Sequence, residues 1–307
     1  MDSQSPHWRA QPLTLIHHAA QNGHREPPGS LSALEICLKA GAAVVEIDLI
    51  PLADGSFALL HDQDLAVATD GAGKAPQMTR EQVQHLHYRH NGTVSAEKVG
   101  FLEGAVDLLR TYPHTKRLQV DLKPFFPLPE AVLRAFLALV EPIKACIQVT
   151  SVADWVVRQL AGAAPGLALG FDPLLYFDLP AEDPRPEGIP PFRVGAYGLL
   201  DDHPLAAFRW GGLGDYFAGR AEALLAQAPQ GCDWFIRAEM LKMALDAGFD
   251  WIAFLHQQGA AVDGWTIDVD QPGQVDLART LVDSGVDALT TDMPARLAGL
   301  ISVETLV

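Results

Sequence analysis

The sequence predicts an α/β fold in which residues 1–307 form one (β/α)8 barrel, a TIM-type barrel. Three observations predict it. Eight short apolar runs begin at residues 13, 43, 118, 146, 167, 232, 261 and 286. Stretches with apolar residues at helical spacing separate most of them, the alternation of a parallel sheet built from strand–helix–strand units. Two of the runs, residues 43–50 and 118–123, carry acids on the face opposite their aliphatic residues. A closed parallel barrel covers both faces of its strands and collects polar residues at their C-terminal ends. A doubly wound open sheet is the other architecture this alternation allows.

The elements follow in order. Residues 13–16 form a strand ending in His17-His18, and the loop over 19–29 is rich in Gly, Pro and polar residues. Ser30 caps a helix to Ala40, with Leu31, Leu34 and Leu38 at helical spacing and Gly41 as its stop. In the strand over 43–50, Val45, Ile47 and Leu49 share one face, and Glu46 and Asp48 share the other. An Asp54-Gly55 turn and the apolar run 57–60 then lead back to His61-Asp62. Residues 63–117 are less regular, with a capping box at Thr79-x-x-Gln82 and a helix over 101–110. His85, His87 and His90 lie in a polar stretch of this segment and read as loop histidines. The strand LQVDLK, residues 118–123, places Gln119, Asp121 and Lys123 opposite its aliphatic face. A helix over 129–140, a strand over 146–150, a helix through Leu160 capped by Ser151-x-x-Asp154 and a strand over 167–171 continue the pattern. Residues 172–230 break it with many Pro and Gly, which predicts an irregular insertion. Alternation resumes with a strand over 232–236, helical sequence through Gln258, a strand over 261–269, a helix over 274–284 and a last strand over 286–290.

Composition narrows the function. Hydrophobic residues make up 49% and charged residues 20%, so the chain folds. The net charge is −16 with no Lys/Arg cluster, which argues against a nucleic-acid partner. An acidic chain acting on a phosphorylated anion needs a local cation. Cys37, Cys146 and Cys232 are odd in number and widely spaced, as for buried thiols in a reducing compartment. Residues 1–12 lack a basic segment followed by an apolar run, and no apolar run reaches spanning length, so the expectation is a cytoplasmic protein.

The pair Glu46 and Asp48 carries the chemistry. Two carboxylates on one face of an apolar strand stand roughly 7 Å apart. Burying both costs free energy unless a cation or hydrogen-bond donor compensates, and a hard divalent ion is the simplest compensation. The same pair could equally lie on the solvated face of an antiparallel strand.

In sequence order, the chain resembles the glycerophosphodiester phosphodiesterase family. VVEIDLIPLADGSFALLHDQDL (44–65) is similar to that family's acid strand, Asp-Gly turn and His-Asp segment, and ATDGAGKAPQMTREQVQHL follows as expected. LQVDLK, VTSVADWVVRQL, WTIDV and GVDALTTDMPARL resemble later segments. The resemblance implies a TIM barrel holding one divalent cation, Mg2+ or Ca2+, that cleaves a small-molecule glycerophosphodiester to glycerol 3-phosphate and an alcohol. It places Glu46, Asp48 and Asp121 at the metal-ligand positions and His17 and His61 as acid and base. It places Lys123 at a phosphate-facing position, Trp265 near the substrate, and His18 where the family has an Arg. Arg25 could supply the guanidinium from the same loop, and Glu26 could replace a Glu that aligns with Pro28-Gly29-Ser30. The departures leave a catalytically silent ligand-binding barrel as the alternative.

Overall fold

The computed structural model describes residues 12–123, 127–176 and 212–307. The strands are β1 (Leu13–His17), β2 (Val44–Pro51), β3 (Phe57–Leu59), β4 (His87–His90), β5 (Thr93–Lys98), β6 (Arg117–Leu122), β7 (Ile147–Ser151), β8 (Ala168–Phe171), β9 (Asp233–Arg237), β10 (Val262–Ile267), β11 (Ala288–Thr291) and β12 (Thr305–Leu306). The helices are α1 (Leu31–Ala40), α2 (Leu65–Ala68), α3 (Arg80–Val83), α4 (Leu102–Thr111), α5 (Glu130–Val140), α6 (Asp154–Ala163), α7 (Leu213–Gln227), α8 (Ala238–Asp246), α9 (Trp251–Gln257), α10 (Gln274–Asp283) and α11 (Pro294–Leu300).

Eight strands pair in parallel in the order β1-β11-β10-β9-β8-β7-β6-β2, and His17 of β1 pairs with Val45 of β2 to close the ring. This is the predicted barrel. All eight predicted strands are present. β3 runs antiparallel on β2, as the tight return after Asp54-Gly55 requires. Alternation sets the two faces. On β2, Val45, Ile47 and Leu49 are buried among the surrounding helices, with α1 contributing Ala33, Leu34, Cys37 and Leu38 to the same core. The barrel interior holds a separate apolar plug of Ile16, Val44 and Phe235, with Trp265 and Ala288 packed on it. Gly170 on β8 makes the plug possible. A Cβ there would stand 2.4 Å from the Phe235 ring and 2.7 Å from the Thr150 methyl.

Four local expectations change. The helical stretch before Gln258 is two helices, α8 and α9. Gly248 at φ +86° parts them, and the Asp250 carboxylate restarts the second by accepting from Ala253 N at 2.9 Å. His87 and His90 stand in a strand, because β4 and β5 form a hairpin around Asn91-Gly92, both at positive φ. Ser151 ends β7 instead of capping α6. Its hydroxyl donates to Leu122 O at 2.7 Å and accepts from Ala153 N at 3.1 Å. Within the expected insertion, residues 213–227 form the regular helix α7, and residues 177–211 lie outside the described residues.

Candidate active site

The C-terminal ends of the strands surround a cavity of about 290 Å³. It is lined by His18, Glu46, Asp48, His61, Asp121, Lys123 and Trp265, among others. Seven of the eight residues singled out from the sequence therefore converge on one place. Asp48 and Asp121 face each other in register across the β2–β6 pair, with Glu46 beside Gln119. Lys123 Nζ stands 3.0 Å from Asp48 Oδ1 and 2.8 Å from Asp121 Oδ2. Thr150 Oγ1 donates to Asp121 Oδ1 at 3.2 Å.

His17 is the exception. It is 2% exposed, and it does not line the cavity. Its Nδ1 donates to Gln21 O at 3.1 Å and lies 3.6 Å from Cys37 Sγ on α1. The cause is strand parity. Leu13, Leu15 and His17 point outward from β1, so Ile16 and His18 point inward, and a shift of one residue exchanges the faces. The inward imidazole is His18, and its Nδ1 lies 2.7 Å from Asp292 Oδ1. Just beyond it the chain turns sharply, with Ala19 at φ +46° and Ala20 at φ +53°. That turn aims Ala19 N at Glu46 Oε2, 2.7 Å away. His61, carried back by β3, stands at the rim with a 60% exposed side chain 3.3 Å from Asp62. Neither Arg25 nor Glu26 reaches the cavity: Arg25 is exposed, and Glu26 pairs with His24 at 3.3 Å.

The electrostatics follow from burial. Burial, reinforced by Asp48, pushes Glu46 up to about 8. Burial acts on Asp48 in the same sense, but Lys123, with His61 and His18, outweighs it and holds that carboxyl below its usual value. Burial alone would lower Lys123, yet Asp121 and Asp48 drive it well above the ordinary lysine value. Burial would lower His18 too, and the Asp292 hydrogen bond with the charges of Glu46 and Asp48 carries it instead to about 9. Its neighbour His17, desolvated and without an acid, falls to about 4.

Two lining acids escaped the sequence reading, and a third acid stands at the rim. Asp172 follows β8 directly and is pushed well above the carboxylate range by burial and by Asp121. Asp263 on β10 is raised by burial to about 7 and accepts from Thr290 Oγ1 at 3.0 Å. Asp292, at the rim, is the partner of His18. The signal for all three was an acid with inward parity on or just after a strand. Among the described residues no three carboxylate, imidazole or thiol groups are already gathered as a metal cage, and Lys123 Nζ stands between two of the acids.

Comparisons with known proteins agree with this fold. Residues 18–162 match the Glycerophosphoryl diester phosphodiesterase family, a match that begins at His18. The bovine protein named Glycerophosphodiester phosphodiesterase 1 is 37% identical over 102 residues, covering 31% of this chain and 31% of that protein. Its mouse counterpart is 31% identical over 131 residues, covering 40% of this chain and 39% of that protein. The chain thus spans less than half the length of either mammalian relative. A glycerophosphodiester phosphodiesterase from Parabacteroides distasonis superposes with a TM-score of 0.64 at 18% identity, covering 95% of this chain and 98% of that one. An Oleispira antarctica phosphodiesterase, solved in complex with the product sn-glycerol-3-phosphate, gives the same values. No helix among the described residues is long and apolar enough to cross a membrane. Residues 18–162 of this chain are thus similar to the glycerophosphodiester phosphodiesterase family, as are its curated relatives, and its fold is the one solved for a glycerophosphodiester phosphodiesterase.

Proposed function

We propose that the protein hydrolyses a glycerophosphodiester to glycerol 3-phosphate and an alcohol, using a divalent cation and two imidazoles. The observation that carries this reading is one cavity whose wall presents His18, His61, Lys123 and the carboxylates Glu46, Asp48 and Asp121. The product named in the Oleispira antarctica complex is the one this reaction releases.

The donor set suits a hard ion. Three carboxylates share one wall, Lys123 stands beside two of them, and burial together with Asp48 keeps the proton on Glu46 up to about 8. Glu46, Asp48 and Asp121 would hold the cation, which when bound would offset phosphate charge. The backbone N–H of Ala19 fixes one Glu46 oxygen, and Thr150 fixes one oxygen of Asp121, so both carboxylates are aimed before anything binds. Lys123 lies between Asp48 and Asp121, within reach of a phosphate oxygen. Trp265 offers an apolar wall for the glycerol carbons.

Proton traffic falls to the two imidazoles. His18, held protonated to about 9, is the general acid that gives its Nε2 proton to the leaving alcohol oxygen. His61 takes the proton of the glycerol hydroxyl that attacks phosphorus, and Asp62 beside it accommodates the resulting positive charge; water then opens the cyclic phosphate, adding OH to phosphorus and H to the glycerol oxygen, to leave glycerol 3-phosphate. The acid role thus passes from His17, which is walled off, to His18. The expected arginine remains unmatched, since Ala19 follows His18, and this favours the second reading of a barrel that binds without turnover.

The deciding experiment measures glycerol 3-phosphate release from its butyl ester and from glycerophosphoethanolamine, with chelator and after restoring Mg2+ or Ca2+. The expected result is release that stops with chelator and returns with the cation. Ligand binding with no release from any glycerophosphodiester would favour the silent barrel. Full release under chelator would remove the cation from the account.

A further inference from the structure

A second cavity, of about 350 Å³, adjoins the barrel mouth. It is enclosed by the loop after β1, the segment from β3 through α2, and the β4–β5 turn. His18, Asp48 and His61 line both cavities. The two proton-transfer groups of the proposed reaction therefore stand on the boundary between two spaces of similar size. A phosphodiester has two arms, and cleavage happens where they meet. The glycerophosphate arm belongs with Lys123, Asp121 and Trp265, which line only the first cavity. The second cavity is left for the other arm.

Its chemistry is specific. Pro27, Pro28, Leu60, Val67 and Ala68 give it an apolar wall. Val67 is 59% exposed on α2, while Leu65 of the same helix is buried, so an apolar side chain is turned toward an open space. A cationic head group would find a single available carboxylate on this wall among the described residues, Asp62, with the Arg89 guanidinium on the same wall. Asp48 is committed to Lys123 at 3.0 Å, Asp62 stands 3.3 Å from His61, and Arg89 sits at the edge. Quaternary ammonium groups are recognised on open aromatic faces. The one Phe, Tyr or Trp ring on this wall among the described residues is Tyr88, which is 3% exposed and donates its hydroxyl proton to Leu59 O at 2.8 Å.

Resting on the function proposed above, we infer that the second cavity is the subsite for the leaving alcohol, and that it takes an uncharged alcohol with an apolar body of several carbons. In the cleavage the attacking glycerol hydroxyl gives its proton to His61 and forms a new P–O bond, the P–O bond to the leaving alcohol breaks, and the alcohol oxygen leaves with the proton from His18; water then opens the cyclic phosphate to glycerol 3-phosphate. The alcohol is then released on the α2 side.

The test is a homologous series of glycerophosphate esters of methanol, butanol and hexanol, with glycerophosphocholine as the charged member. We expect kcat/KM to rise about threefold per methylene along the series. Glycerophosphocholine should fall at least tenfold below the butyl ester. Ala68→Phe, which fills the cavity, should lower the hexyl-to-methyl ratio of kcat/KM about tenfold, chiefly through KM. Val67→Asp, at a solvent-facing position, should move the ratio in the same direction and serves where the larger side chain disturbs folding. A flat series with the methyl ester still cleaved overturns the subsite alone, as does a ratio unmoved in both folded variants. If no ester releases glycerol 3-phosphate, the parent reading falls and takes the subsite with it.

Discussion

Two adjacent histidines, one residue apart in sequence, meet opposite environments, and this sets the sharpest tests at the residue scale. His18 faces three acids and is carried to about 9, while His17 faces helix α1 and is lowered to about 4. Removing a general acid costs about 100- to 10,000-fold in rate. His18→Ala is therefore expected to lose kcat by that factor while still unfolding cooperatively in urea, and His17→Gln to keep kcat within a few-fold. Steady-state kinetics on the butyl ester of glycerol 3-phosphate separates the two, and equal losses would contradict the inward assignment of His18. Asp292→Asn should shift the alkaline limb of the kcat profile to lower pH, because the carboxylate that keeps His18 protonated is gone. His17 makes a separate statement about stability. The unfolded chain binds its proton at 6.5 and the folded one only near 4, so between those values the unfolded state holds more protons. Stability is complete above pH 6.5 and falls as pH drops toward 4, by up to about 3 kcal/mol from this group. Urea unfolding of His17→Gln should show that loss reduced against wild type over the same window.

Among the elements, the barrel interior depends on one missing side chain. Phe235 of β9 fills the space over Gly170 of β8, and a methyl at 170 would sit 2.4 Å from its ring. Overpacking of this kind costs about 1–3 kcal/mol. Gly170→Ala is expected to lower the unfolding free energy by that amount in a urea titration, and an unchanged midpoint would show that the plug yields freely. Element by element, the strands were legible because each has an apolar face at period two and an ending marked by polar residues. The hairpin β4–β5 was not. Its residues HYRH and TVSAEK carry no such face, and β5 is largely solvent-exposed, so only pairing defines it. Outward or inward parity at the end of β1 was equally illegible. Two identical imidazoles in succession give no local clue, and only the fixed positions of Leu13, Leu15 and Ile16 decide which one enters the barrel. Glu46, Asp48, Asp121 and Lys123 were legible because each sits among residues whose own burial is unambiguous.

Across the whole molecule, the barrel brings together acids that lie 75 residues apart in sequence, Glu46 and Asp121, and it must offset their repulsion. Lys123 offsets part of it by bridging Asp48 and Asp121, and burial answers the rest by protonating Glu46. A divalent cation would compete with that arrangement, and it would find its three ligands assembled only when the barrel is closed. It would therefore bind the folded state alone. At a hundred times its dissociation constant such a ligand adds about 2.7 kcal/mol to the unfolding free energy. Chelated protein should gain that stability on addition of Mg2+ or Ca2+, read as a rise in the urea midpoint that saturates with concentration. Glu46→Gln and Asp121→Asn should each abolish most of the rise. An equal rise in the double variant would place the ion elsewhere on this acidic surface and sever it from the histidines at the mouth.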